Sequence, residues 1–257
     1  MSFSLLSLWP VFLQIAVLAA LLALSVRLIR RSGQAVAAVF LTFVFALWLF
    51  TDLYWVIFDL MRPDGRMPFA ANEIGEAAVF LMLAALLSSF SLGRGRVFCW
   101  QTAGALAFAL GNAALWVAWS REWIDDLFIG AAYAAFLAQV VRALMLQGSL
   151  RTGEWIALAA GCFLLLLGQA LTFFVPEGAV RALDLGCYLL LAAGAVCWAI
   201  KAFSARRGRP LYLIYALLGW VITAKYMSAG DWYSLFLVCE TLCLPPLYRA
   251  VRREVGP

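Results

Sequence analysis

The sequence predicts an all-α, polytopic integral membrane helix bundle. Three observations carry this. The chain of 257 residues is 66% hydrophobic, its mean hydropathy is +0.95, and only 13% of its residues are charged, where a soluble domain carries about 25%. Apolar runs of about 20 residues, the length that spans a bilayer, recur along the whole chain. No polar half, Pro/Ser-rich linker or low-complexity tract divides it. Residues 1–257 therefore form a single transmembrane domain.

The runs fall at 5–29, 34–61, 69–92, 97–119, 124–146, 155–175, 181–203, 210–227 and 232–250, which makes about nine helices. The N-terminal run differs from a secretory signal, because Arg27, Arg30 and Arg31 follow the apolar core instead of preceding it. The eighth and ninth runs are separated only by the short break "KYMSAGDWY", and Pro245-Pro246 interrupts the ninth. The alternative is eight spans, with one of the last pair re-entrant or interfacial.

Charge orients the bundle. With nine spans, one side receives Arg27, Arg30, Arg31, Arg94, Arg96, Arg142, Arg151, Lys201, Arg206, Arg207, Arg209, Arg249, Arg252 and Arg253, and the other Arg62, Arg66, Arg121, Arg181 and Lys225. The basic side is cytoplasmic by the positive-inside rule, so the N-terminus lies outside and the C-terminus inside the plasma membrane. Anionic headgroups account for these arginines and for the net charge of +5, so no nucleic-acid partner is implied. The expected partners are the bilayer, a small-molecule or cation ligand, and either a second copy of the chain or a partner protein.

An internal repeat is legible. "PFAANEIGEAAVFLMLAA" from Pro68 and "PEGAVRALDLGCYLLLAA" from Pro176 each place a carboxylate, Glu76 or Asp184, eight residues after the proline, and then an aromatic residue, Phe80 or Tyr188. "RGR" recurs at Arg94 and Arg207, and "VVRAL" from Val140 corresponds to "LYRAV" from Leu247. These matches predict helix 1 plus two parallel four-helix repeats, helices 2–5 and 6–9, an organisation found in some transporter folds.

The carboxylates divide by depth. Glu177, Asp125 and Asp126 sit in first helical turns, where the helix dipole favours them. Asp59 and Glu73 lie near the outer surface. Asp52, Glu76, Asp184 and Glu240 are predicted in a common deeper layer. Measured from Pro68, Glu76 is about 12 Å into its helix, beyond the reach of the dipole. A charge in a span costs about 2.5–3.5 kcal/mol, so these groups should face the interior. Lys225 is a counter-charge candidate for Asp231, Glu76 or Asp184, though snorkelling explains it as readily. Asn112 and Gln169 interrupt apolar spans and either bond between helices or line a polar site. Trp55, with Trp48 and Tyr54, lies beside Asp52 in a stretch denser in aromatics than an interfacial belt requires.

The chain has no histidine, which removes His-based triads and imidazole ligation of zinc or haem. Its six cysteines lie in predicted spans. Cys239 and Cys243 flank Glu240 on one helical face, where small-residue packing explains them better than a soft-metal site. No nucleotide-binding or metalloprotease motif occurs, and no cofactor or resident metal is expected. The leading expectation is a small-solute or cation transporter or permease with an outward-facing carboxylate-lined site. A receptor-like sensor comes second. A membrane enzyme acting on a lipid-linked substrate comes third, with no second catalytic element to support it.

Overall fold

The computed structural model describes residues 8–31, 35–61, 71–91, 99–120, 123–204 and 210–256. Nine helices occupy them: α1 Trp9–Ile29, α2 Ala35–Met61, α3 Ala71–Ser91, α4 Trp100–Ser120, α5 Trp123–Gln147, α6 Thr152–Leu171, α7 Glu177–Ser204, α8 Pro210–Tyr226 and α9 Asp231–Val255. All but α8 are long and apolar enough to cross a membrane. This is an all-α helical bundle.

Local chemistry sets several boundaries. Pro10 stands in the first turn of α1 and Glu177 opens α7, positions where a missing N–H or a carboxylate suits the helix N-terminus. As a result α7 begins four residues before the predicted apolar run. The main departure is in α9, which continues through Pro245 and Pro246. Two successive prolines remove two donors from the helical ladder. Leu244 and Leu247 beside them are fully buried, so packing holds the segment helical.

The helices form two rings that share one edge. α2 packs on α3, α3 on α5, α5 on α8, α8 on α9, and α9 back on α2. On the other side α4 packs on α5, α5 on α8, α8 on α7, α7 on α6, and α6 back on α4. α1 lies outside the first ring, against α2 and α9. α8 has only 17 residues but is buried along nearly its whole length, because both rings enclose it.

Close backbone approach holds the rings together. A Cβ on Gly75 of α3 would collide with Thr51 Oγ1 of α2, and one on Gly194 of α7 would enter the Trp220 ring of α8. Small residues at such crossings permit the van der Waals packing that drives association in lipid. The two rings exchange α2 for α6 and α3 for α7, but they also exchange α5 for α8 and α4 for α9. The sequence repeat would instead pair α5 with α9 and α4 with α8. Superposition of the two halves in one helix order does not follow from this packing.

Candidate functional site

The first ring encloses a buried charge cluster. Glu240 lies mid-way along α9 and is 0% exposed; Lys225 lies at the end of α8 and is 7% exposed. Lys225 Nζ donates to Glu240 Oε2 at 3.0 Å, and Gln14 Nε2 of α1 donates to the same oxygen at 3.1 Å. Lys225 therefore does not snorkel, and its ion-pair partner is Glu240 instead of Asp231, Glu76 or Asp184. The α8 C-terminus also suits a cation there.

Glu76 of α3 accepts a hydrogen bond from the Tyr226 hydroxyl. Asp52 of α2 lies within electrostatic reach of Lys225, Glu240 and Glu76. Glu73, in the first turn of α3, interacts electrostatically with Glu76. Carboxylates from three helices thus lie within electrostatic reach of one ammonium, which contacts Glu240. Asp52 Oδ2 and Glu240 Oε1 are buried without a hydrogen-bond partner. The space among Trp48, Glu76, Phe80, Lys225, Tyr226 and Glu240 is a cavity of about 10 Å³, close to the volume one water requires.

Aromatic rings wall the cluster on its α5 side. Tyr226 meets Trp116 at 5.5 Å and Phe80 at 5.9 Å between centroids. Phe80 in turn meets Tyr133 at 5.7 Å. The Lys225 ammonium lies 5.0 Å from the Tyr226 ring centre, a cation–π distance. Tyr133 shares a 2.5 Å hydrogen bond with Thr223 across the α5–α8 edge.

Other candidates lie elsewhere. Asp184 is half-buried on α7, and its electrostatic neighbours are Cys187 and Tyr188 instead of Lys225. It stands apart because α7 belongs to the second ring. Asn112 is buried and its Nδ2 donates to the Phe108 carbonyl within α4. Gln169 is buried on α6, beside Cys187. Trp55 packs with Val11, Val56 and Leu237 between α1, α2 and α9. The Asp59 side chain and Pro68 lie outside the described residues. Among the described residues no group of three metal-ligating side chains forms.

Two members escaped sequence reasoning. Gln14 is a lone amide in an apolar span, the signal that singled out Asn112 and Gln169. Tyr226 was indistinguishable from an interfacial tyrosine. The chain matches no protein family model, no curated protein and no solved structure.

Proposed function

We propose that this chain is a proton-coupled small-solute transporter of the plasma membrane, N-terminus outside and C-terminus cytoplasmic, with the Asp52–Glu76–Lys225–Glu240 cluster as its proton site. One observation carries the reading: the buried Lys225–Glu240 pair has two further, partly buried carboxylates, Asp52 and Glu76, within electrostatic reach, and Asp52 Oδ2 and Glu240 Oε1 have no hydrogen-bond partner. Like charges in a low dielectric repel by several kcal/mol at close range, and a proton relieves this in a space too small for a larger cation. Such clusters inside membrane spans mark ion pathways and proton relays. The positions on α2, α3, α8 and α9 let a change in protonation alter four helix contacts at once.

A sensor reading draws on a different observation. α9 passes unbroken through Pro245 and Pro246, whereas many transporter sites use interrupted helices. A sensor would use the same proton site to shift α8 against α9 without moving a solute.

The test uses purified protein in lipid nanodiscs. Thermal midpoints are measured against pH, and against amines, amino acids and inorganic cations at each pH. The reading expects a pH-dependent midpoint that flattens in Glu76→Gln with Asp52→Asn, and a solute whose stabilisation depends on pH. Counterflow of that solute into vesicles separates transport from sensing. A midpoint insensitive to pH in the wild type contradicts both.

A further inference from the structure

The second ring encloses a space that the proton site does not use. It is a cavity of about 290 Å³ among α4, α5, α6, α7 and α8, about twice the ~150 Å³ void that accepts benzene in an engineered core. On α6 it runs from Trp155 to Leu166. That is eleven residue steps, or about 16 Å at 1.5 Å per step, roughly half of a bilayer's ~30 Å hydrocarbon thickness.

Its shape is set by where α4 and α6 meet. Toward the end of the bundle formed by the C-termini of these two helices they touch. Gly111 lies against Leu166, and Trp119 stacks on Phe173 at 5.9 Å. Toward their N-termini they part. Gly104 on α4 has no neighbour where a side chain would project, and Trp100 and Phe163 at the edge are 55% and 64% exposed. The cavity therefore opens sideways between α4 and α6, within the span and toward the end where both helices begin.

Three tryptophans line the cavity toward that end: Trp155 and Trp198 are buried, and Trp100, 55% exposed at the edge, stands where an interfacial tryptophan would. Polar groups stand at the same level: Gln101 in the lining, and Lys201 paired with Glu154 at the start of α6. Arg151, exposed, immediately precedes α6. The sequences that join α3 to α4 and α7 to α8 contain Arg94, Arg96, Arg206, Arg207 and Arg209.

We infer that this cavity is a binding site for one acyl chain of an anionic membrane lipid, taken laterally from the leaflet on the basic side of the protein. The apolar lining and the one-leaflet length fit a hydrocarbon chain. Exposed Trp100 at the edge and exposed Arg151 at the start of α6 fit its anionic headgroup. The inner wall is formed by α5 and α8, the two helices that the second ring shares with the first, and α8 also carries Lys225 of the charge cluster. Thr223 lines the cavity and bonds Tyr133, two residues from Lys225. A lipid seated there braces the shared edge of the two rings. The site exists whether or not the cluster moves protons.

The experiment uses the full chain in phosphatidylcholine vesicles that contain a small fraction of phosphatidylglycerol with a photoactivatable diazirine on one acyl chain. Parallel vesicles carry the same diazirine on phosphatidylcholine. After illumination, adducts are located by peptide mass spectrometry. The expected result is adducts concentrated on Leu158, Ala159 and Gly104, several-fold more from the glycerol lipid than from the choline lipid, and several-fold fewer in Gly104→Phe. Ala159→Phe fills the same space from the opposite helix and serves if Gly104→Phe does not fold. Three results would overturn the proposal: labelling no greater in the cavity than on outward-facing Phe50 and Ile200, equal labelling by the two lipids, or full labelling in a folded, filled variant.

Discussion

Lys225 and Glu240, fifteen residues apart in sequence, meet at 3.0 Å on adjacent helices with both side chains buried. Removing one member of such a pair leaves an uncompensated buried charge, at about 3–5 kcal/mol. Glu240→Ala should therefore lower the thermal midpoint sharply in detergent or nanodiscs. Lys225→Met with Glu240→Met should recover most of that loss, because well-packed apolar groups often replace a buried pair without penalty. A double variant as unstable as Glu240→Ala would show that the pair does not act as a unit.

The Tyr226 hydroxyl donates to Glu76. Tyr226→Phe leaves a partly buried carboxylate oxygen without its donor, which costs about 1–3 kcal/mol. Glu76→Met removes the group that needs the donor. A double-mutant cycle by thermal or chemical unfolding should return a coupling energy of about 1 kcal/mol or more. Additive effects would place Glu76 on a different donor.

The crossing of α2 and α3 depends on Gly75. Thr51 Oγ1 is fixed by its bond to the Leu47 carbonyl at 2.9 Å and lies where a Cβ on Gly75 would fall. Gly75→Ala should destabilise by about 1–3 kcal/mol, the usual penalty for overpacking. Thr51→Ala should relieve part of it. Full stability in Gly75→Ala alone would mean that the helices have room to separate.

Membrane orientation is open to direct test. Reporter fusions at Gly208 and Gly256 should both report cytoplasm, and one at Ala229, between α8 and α9, should report the opposite side. The basic asymmetry of the sequence motivates this. Agreement between Gly208 and Ala229 would remove α8 as a span.

The helices were legible because hydrophobic length is a local property, and eight of the nine are long and apolar enough to span. α8 was the weak case for a physical reason: a 17-residue helix enclosed by neighbours need not match the bilayer by itself. Pro245 and Pro246 misled because packing at Leu244 and Leu247 is tertiary information. Depth along each span brought Asp52, Glu76 and Glu240 into view, since a misplaced charge is visible in sequence. Depth cannot say which helices adjoin, so Asp184 was grouped with them although α7 lies in the other ring. The partner of Lys225 was hidden for the same reason. The apolar cavity had no signal at all, because its lining residues are those of any membrane helix.

The central claim is that the cluster around Lys225 exchanges protons. Infrared difference spectra of the protein in lipid, recorded as pH is stepped, separate the C=O stretch of a protonated carboxyl from an ionised carboxylate. A carboxyl band that titrates in the wild type, disappears when Asp52→Asn and Glu76→Gln are combined, and survives in Asp184→Asn is the predicted result. A spectrum with no titrating carboxyl band, or one that the combined substitutions leave unchanged, would contradict the account.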